Sequence, residues 1–387
     1  MAATLGTYVP TFQGLSAFDL IRPANQGAAC FPFDTESLPF FRARNAIYYL
    51  FLGLKSVRPR MSVLVPDYHS GNEVLALRAA GATVHLYPIG RDMQPDLDAV
   101  EQLCKQHDPD VLYVIHYLGW PQPMAALGDL CRRRTMLLVE DCALSLLSAP
   151  GGEALGTHGD WAVFCLYKTL PVPNGALLVQ NGPRLESLER LQLRDAGSAS
   201  VLGRMAELFV QRIRGRSNGV GAALQVVKRG VGRAAGALDV RRANVGDIGF
   251  NLDEVDLAMS PLSQRLLTRF DYAAIRHRRV ENYRRLAERL GGAAAPVFDT
   301  VPDGVCPLFF PVLVSDKHEA AERLRSRGVD ALEFWNDSCE PGGHEMGLDA
   351  RFLRRHVLEL PIHQDLTARH IDHIARQMQA LSLGRAA

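Results

Sequence analysis

The run MLLVEDCALSLLSAPGGEALGTHGDWAVFCLYKTLPVPNGALLVQ, residues 136–180, contains three short apolar segments separated by turn-rich sequence. The segments MLLVED (136–141), WAVFCLY (161–167) and GALLVQ (175–180) are rich in the aliphatic and aromatic residues that favour β-strands. Near-continuous apolar runs of this length are typical of strands that are buried on both faces of a sheet. The run therefore predicts three strands of a buried sheet.

The same alternation of strand and helix extends towards the N-terminus, to about residue 45. Further strands are predicted at SVLVP (62–66), TVHLYPI (83–89) and VLYVIHYLG (111–119). Helices are predicted at NAIYYLFLGL (45–54), NEVLALRAAG (72–81), DLDAVEQLCKQ (96–106) and MAALGDLCRRR (124–134). Alternating strands and helices predict an α/β fold with a mainly parallel central sheet flanked by helices. Ligands of such sheets bind at the carboxyl ends of the strands.

The pattern changes after residue 250, where we expect long helices over roughly 259–290, an apolar strand at 307–314 and a helix at 318–327. A last helix is predicted after LPIHQDL (360–366). These elements predict a smaller α+β domain over 251–387, following a large domain over 1–250.

A basic stretch interrupts the large domain at about 204–246. It is rich in glycine and arginine and has little β signal, so we interpret it as an insertion that is helical and amphipathic at best. A solvated face is the simplest interpretation. Contact with a phosphate-bearing or carrier-borne substrate, or with a membrane surface, stays open.

The composition limits the classes of partner. The 387 residues carry a formal net charge of +1, so no global field favours nucleic acid. The seven cysteines form no CxxC pair, which favours a reducing compartment. The first residues lack a signal-peptide pattern, and no stretch approaches the roughly 18 uninterrupted apolar residues of a membrane span. We therefore expect a cytoplasmic protein and disfavour membrane contact.

Two polar sites at strand ends could carry chemistry. Glu140 and Asp141 end an apolar strand, where an acidic residue is costly unless it has donors or a cationic partner. Asp141 could cap the next helix, or it could pair with a protonated ring nitrogen. Lys168 interrupts the next apolar run. It could be an ordinary surface lysine, or an amine whose apolar surroundings favour the neutral form that attacks an aldehyde.

In order and spacing, these segments resemble the cofactor site of the DegT/DnrJ/EryC1/StrS family of sugar-type aminotransferases. In that family an E-D-A-A segment is followed by a lysine, a Gly-rich turn and a strand. The resemblance continues in one register through 63–89, 114–124, 249–267 and 360–375. It implies a fold-type-I transferase that uses pyridoxal 5'-phosphate.

The resemblance assigns a role to several residues. Lys168 is similar to the lysine that holds the cofactor as a Schiff base and moves a proton during transamination. Asp141 corresponds to the partner of the ring nitrogen. His69 lies where the family places an aromatic ring over the cofactor, and Tyr68 is the alternative because the local alignment is uncertain by one residue.

The resemblance also implies a phosphate site. Arg44 and Asn45 open a predicted helix, whose first N–H groups and dipole favour an anion. Asn251 resembles a residue that reaches the phosphate from the neighbouring subunit, which implies a homodimer with shared active sites. Cys165 stands in the lysine loop where the family has a phosphate-binding hydroxyl, and Leu144 stands where Gln or His is common.

The function implied is transfer of an amino group from an amino acid, first of all glutamate, to a keto-sugar nucleotide or a related intermediate. Other pyridoxal-phosphate chemistry on an amino-acid or carrier-bound substrate is one alternative, and a binding or regulatory homologue without activity is another. Dehydratase relatives replace the lysine with histidine, so Lys168 disfavours that reaction. No metal site is expected, because His370 and His373 lack a third ligand at metal spacing. The segment with Trp335 and residues 340–343 is a predicted loop with a possible role in specificity.

Overall fold

A computed structural model describes residues 6–25, 30–221, 223–224, 249–336 and 346–381. Its central sheet has seven strands in the order β1-β7-β6-β5-β4-β2-β3. They are β1 (Ser37–Phe40), β2 (Ser62–Pro66), β3 (Thr83–Tyr87), β4 (Val111–Ile115), β5 (Leu137–Asp141), β6 (Trp161–Cys165) and β7 (Ala176–Gln180). The neighbours from β3 to β6 pair in parallel, and β7 pairs antiparallel with both β6 and β1. The predicted α/β fold with a mainly parallel sheet is confirmed.

Helices pack against the sheet and form much of the remaining described chain. They are α1 (Ala17–Ile21), α2 (Ala43–Val57), α3 (Asn72–Ala79), α4 (Leu97–His107), α5 (Met124–Arg134), α6 (Glu186–Glu189), α7 (Ser198–Arg216), α8 (Pro261–Leu267), α9 (Tyr272–Leu290), α10 (Lys317–Ser326), α11 (Leu348–His356) and α12 (Ala368–Gln379). Several begin at an acidic cap. The side chain of Asp96 accepts from two backbone amides of α4, and Asp271 accepts from one amide of α9, which satisfies donors that a helix start leaves open. In the part of the chain that the structure describes, no helix is long and apolar enough to cross a membrane.

A second, three-stranded antiparallel sheet lies in the C-terminal part. It consists of β8 (Ala295–Pro296), β9 (Phe310–Leu313) and β10 (Val357–Leu360), with β9 in the middle. The N-terminal segment reaches this part of the chain, because Val9 pairs in parallel with Val329 and is fully buried. The division into domains at residue 250 stays a prediction.

Two segments singled out in the sequence are described only in part. Of the basic stretch 204–246, the structure describes 204–221 and 223–224, and α7 accounts for most of it. Met205 and Leu208 are the buried residues of α7 within this stretch. The remainder of the stretch and residues 340–343 lie outside the described residues.

Candidate active site

A cavity of about 550 Å³ opens at the carboxyl ends of the parallel strands. The last residues of three adjacent strands border it: Ile115 of β4, Asp141 of β5 and Cys165 of β6. Lys168 borders it from the turn that follows β6, and Arg44 borders it from the first turn of α2. This is where the fold class places ligands.

Asp141 is a buried carboxylate at the floor of this cavity. It is 6% exposed. Its Oδ2 accepts a hydrogen bond from the Tyr113 hydroxyl at 2.6 Å, and its Oδ1 accepts from the backbone amide of Ala143 at 2.8 Å. Burial, followed by the negative charge of Glu73, raises the pKa of Asp141 to about 6, although Tyr113, Ala143 and the charge of Lys168 act in the opposite direction.

This carboxylate fits the ring nitrogen of pyridoxal phosphate. A buried charge without a cationic hydrogen-bond partner is costly. A protonated pyridine nitrogen would supply both a hydrogen bond and a positive charge, and the amine of Lys168 borders the same cavity. The residues present therefore fit the predicted cofactor.

A buried arginine supports the turn that carries Lys168. Arg279 of α9 is 1% exposed and, among the described residues, donates only to neutral acceptors, including the carbonyl of Thr169 at 3.4 Å. It also donates to the side-chain oxygens of Gln364 at 2.9 Å and Gln13 at 3.2 Å. Gln364 in turn donates to the Thr169 carbonyl at 2.9 Å, and Gln13 donates to the carbonyl of Tyr167 at 3.4 Å. Both neighbours of Lys168 are thus fixed through their carbonyls.

Glu140 serves a different purpose from Asp141, although the two are adjacent. Its carboxylate accepts from His116 Nε2 at 2.9 Å and from the backbone amides of Gly156 and Gly159. Burial acts to raise the pKa of Glu140, but the His116 hydrogen bond and charge and the two amides outweigh it, and the pKa is lowered. Glu140 therefore stays ionised and fastens the loop that connects β5 to β6.

Cys142 lies with this pair, and the ligand atoms of His116, Glu140 and Cys142 are within 4.8 Å of one another, close enough to hold a metal ion. Both ring nitrogens of His116 already have partners, because Nδ1 accepts from the Gln122 amide at 3.1 Å. Both carboxylate oxygens of Glu140 also accept hydrogen bonds. These hydrogen bonds explain the arrangement of His116 and Glu140 in this cluster.

The predicted phosphate residues lie at the start of α2. Arg44 donates to the side chain of Asn72 at 3.1 Å and to the carbonyl of Gly249. Asn45 points elsewhere: its amide donates to the carbonyl of Glu254 at 2.8 Å. Asn251 is exposed, and its side chain accepts from the backbone of Asp253 at 3.0 Å. Arg44 borders the cavity, and the phosphate roles of all three predicted residues stay predictions.

Neither ring proposed to stack on the cofactor borders the cavity. Tyr68 packs edge-on against Trp335, with ring centres 4.6 Å apart. His69 is fully buried in the turn before α3, where its Nδ1 accepts from the Gly71 amide at 3.0 Å. Ser70, the next residue, does border the cavity. The stacking role stays a prediction for either ring.

The two departures from the family pattern both face the site. Cys165 is 1% exposed, and burial raises the pKa of its thiol although Lys168 and Tyr167 act against this. The thiol is therefore protonated near pH 7 and offers only a weak donor. Leu144 adds apolar atoms to the wall of the cavity.

Two residues at the site, Tyr113 and Glu73, were not predicted from the sequence. Tyr113 lies inside β4 and supports Asp141 from the neighbouring strand. Glu73 is 5% exposed, borders the cavity and accepts from the backbone amide of Ser70 at 2.8 Å. The spacing Ser70-x-x-Glu73 is that of a capping box and could have indicated the buried helix start.

Comparison with known proteins identifies the family of this chain. A model of the DegT/DnrJ/EryC1/StrS aminotransferase family matches residues 46–379. The chain belongs to this family. The predictions of a fold-type-I fold, of an aminotransferase and of pyridoxal phosphate as cofactor are confirmed at the level of the family.

Relatives within the family include enzymes that act on sugar nucleotides. The dTDP-4-dehydro-2,3,6-trideoxy-D-glucose 4-aminotransferase of Saccharopolyspora spinosa is 28% identical over 155 residues, 39% of this chain and 40% of that protein. The GDP-perosamine synthase of Vibrio cholerae is 25% identical over 160 residues, 38% of this chain and 43% of that protein. The chain thus aligns with less than half the length of these two curated relatives.

A solved structure shows the same fold over almost the whole chain. Helicobacter pylori PseC, an aminotransferase involved in the biosynthesis of pseudoaminic acid, superposes with a TM-score of 0.68. The match covers 97% of this chain and 99% of that chain, at 15% sequence identity. At this identity the likeness concerns the fold alone.

Proposed function

We propose that this chain transfers an amino group from an amino acid, with glutamate as the first candidate, to the keto group of a nucleotide-linked sugar or a related biosynthetic intermediate. The observation that carries the proposal is the cavity shared by Lys168 and Asp141, at the ends of the neighbouring strands β6 and β5. An amine and a buried carboxylate are the two groups that a pyridoxal-phosphate enzyme needs around the cofactor ring.

Each residue would have a defined task in the reaction. Pyridoxal phosphate, when bound, supplies an electron sink for the carbon that loses its proton. Lys168 Nζ would hold the cofactor covalently and, once released by the amino donor, take up and return the proton of the substrate carbon. Asp141 would keep the ring nitrogen protonated, and Tyr113 would orient that carboxylate. Arg44 and the first turn of α2 would hold the phosphate.

The choice of acceptor rests on the relatives and on the cavity. Two curated relatives carry names of sugar-nucleotide enzymes. Arginines of α7, Arg204 and Arg214, lie in the outer wall of the cavity, where they could meet an anionic acceptor. We further propose a cytoplasmic homodimer, in which Asn251 completes the site of the other subunit.

A second candidate is a homologue of the same fold that has lost activity. Cys165 and Leu144 favour it, because both replace polar groups expected to contact the cofactor. The visible absorbance of the purified protein distinguishes an active enzyme from a homologue that has lost activity. We expect a yellow protein whose absorbance disappears on borohydride reduction, and a Lys168→Ala variant that lacks the Schiff-base absorbance. A colourless wild type that takes up no added cofactor would refute the enzymatic function.

Amino transfer itself needs a further step in the same cuvette. Addition of glutamate should convert the yellow species to the form that carries the amine. If no common amino donor produces this conversion while the yellow species persists, the chain performs other pyridoxal-phosphate chemistry.

A further inference from the structure

A second cavity, of about 350 Å³, adjoins α7 next to the one that contains Lys168. Its walls come from α7, from residues 363–367 and from the first residue of α12. Gln211 of α7 borders both cavities, so this helix forms the partition between them. Gln364 lines the second cavity and also supports the turn of Lys168, but the proposed function assigns no cofactor or substrate contact to this cavity.

His363 gives this cavity a buried hydrogen-bond acceptor. The side chain is 2% exposed, and its Nε2 lies 3.1 Å from the carbonyl oxygen of Pro10. Because a carbonyl oxygen only accepts, Nε2 carries the hydrogen and Nδ1 carries a lone pair. Burial lowers the pKa of His363 to about 4, so the ring is neutral at pH 7. Within the described residues, Nδ1 is buried and has no hydrogen-bond partner.

Arg212 gives the same cavity the complementary group, a buried donor. One end of its guanidinium pairs with Asp365. Its Nε is buried, and the described part of the chain offers it no acceptor. Buried polar groups are almost always hydrogen-bonded, so an unmatched acceptor and an unmatched donor on one cavity indicate a ligand that offers both.

The charge of the wall favours an anion. Arg212, Arg216 and Arg278 border the cavity, and Asp365 is the acidic residue among the lining residues. Both oxygens of Asp365 are engaged, one by Arg212 and the other by the Gly14 amide at 2.9 Å. The start of α12 adds the positive end of a helix dipole.

We propose that this second cavity binds an anion that combines acceptor oxygens with one hydroxyl, the chemistry of a protonated phosphate group. The oxygens would meet Arg212 Nε and the guanidinium of Arg216, and the hydroxyl would donate to His363 Nδ1. Free hydrogen phosphate carries this hydroxyl on its phosphorus, whereas a sugar phosphate, whose phosphate is a dianion near pH 7.5, carries it on the sugar.

Sulfate provides a matched control ligand. It has the size and charge of hydrogen phosphate but no proton near pH 7.5, so it would place an oxygen lone pair against the lone pair of His363 Nδ1. A merely basic surface would bind the two anions alike.

Isothermal titration calorimetry tests the proposal on the full-length protein, loaded with pyridoxal phosphate so that the cofactor's own phosphate site is filled. Inorganic phosphate, glucose 6-phosphate and sulfate are titrated at pH 7.5. We expect at least one of the two phosphates to bind about tenfold more tightly than sulfate, and the tighter of the two identifies the source. Equal affinities for phosphates and sulfate, or no saturable binding, would overturn the proposal.

Variants then locate the site. Arg216 is exposed, so Arg216→Ala should fold normally and weaken phosphate binding about fivefold or more. Arg133→Ala removes an equally exposed arginine from the last turn of α5, and should leave the affinity unchanged. Unaltered phosphate affinity in Arg216→Ala would place the ligand elsewhere and contradict the assignment.

Discussion

At the scale of single residues, Asp141 is deeply buried and has no cationic hydrogen-bond partner among the residues that the structure describes. The part of the chain described here gives it two hydrogen bonds, both from uncharged donors. Its raised pKa means that the folded protein binds this proton more tightly than the unfolded chain does. We therefore propose that a cation arriving with the cofactor completes the contacts of this carboxylate.

Asp141→Asn should change how the stability of the cofactor-free protein depends on pH. With a folded pKa of about 6, above the unfolded value near 3.8, the favourable contribution of the protonated form is complete below pH 3.8 and is lost as pH rises through 6. Between pH 5 and pH 8 the wild type should lose about 1–1.5 kcal/mol of unfolding free energy relative to the variant. Urea denaturation at both pH values measures this.

Asp98→Asn, which removes an exposed carboxylate from α4, is the control for that experiment. This variant shows whether the change in pH dependence comes from the loss of any carboxylate or from the loss of the buried carboxylate of Asp141. If wild type and Asp141→Asn follow the same pH dependence, Asp141 does not carry the raised pKa.

Tyr113→Phe should weaken cofactor binding without removing a charge. The Tyr113 hydroxyl donates to Asp141 Oδ2 at 2.6 Å, and its loss disfavours the ionised carboxylate that must pair with the ring nitrogen. We expect affinity for pyridoxal phosphate to fall about tenfold near neutral pH, as measured by fluorescence titration. Tyr87→Phe is the matched control, because the Tyr87 hydroxyl is also buried but donates to the backbone carbonyl of Tyr113, at 3.2 Å, and not to Asp141. Equal losses in both variants would argue against a specific role for the Asp141 contact.

At the scale of elements, helix α9 and the turn after β6 depend on each other. Burial lowers the pKa of Arg279 to about 10, yet the guanidinium remains charged at neutral pH and is held by neutral oxygens. Its contacts fix the backbone on both sides of Lys168, directly and through two glutamines. The backbone position of Lys168 is therefore set partly by a helix distant in sequence.

Arg279→Met should destabilise the protein by about 3–5 kcal/mol, because several buried acceptors lose their donor at once. Arg278→Met, on the adjacent exposed position of α9, should cost under about 0.5 kcal/mol. Urea unfolding of both variants provides the comparison. Similar small changes in the two would show that the buried network contributes little.

The sequence predicted those elements whose signal is local. Strand β2 and helix α5 begin and end where the apolar pattern predicts. The predicted strand 111–119 is too long, because β4 ends at Ile115 and the chain then turns through positive φ at Leu118 and Gly119. A Cβ on Gly119 would lie 2.3 Å from the Cys306 carbonyl, a contact made by chain far away in sequence.

The sequence did not predict those elements and residues whose structure depends on contacts with segments far away along the chain. Strand β1 has four residues, one of them Pro39, and is a strand only because it pairs with β7. Helix α11 and strand β10 were not predicted, since α11 is dominated by charged residues and β10 follows it directly. The resemblance to the family singled out Asp141 and Lys168, which the structure places on one cavity. It did not single out Tyr113, because the contact of Tyr113 with Asp141 arises from the pairing of β4 with β5.

At the scale of the whole molecule, the proposed dimer rests on the segment at 249–251. In this chain the Gly249 amide donates to Asn72 at 2.9 Å, so the segment already lies beside the wall of its own cavity. Asn251 is exposed and could reach either its own site or that of a second subunit.

Mixing two inactive variants decides between these possibilities. If Asn251 acts in the partner's site, refolding Lys168→Ala together with Asn251→Ala should restore about a quarter of the active sites. Mixed dimers would then carry one intact site each, and transaminase activity of the mixture reports it. Activity no higher than that of the separate variants would place Asn251 in the site of its own chain.

Lys168 is proposed to be the residue that bonds to the cofactor. Peptide mapping by mass spectrometry tests this, after borohydride reduction of the protein loaded with pyridoxal phosphate. We predict the reduced cofactor on the peptide that contains Lys168, at close to one per chain, and on no other lysine at comparable occupancy. Labelling of a different lysine, or of none, would contradict the account.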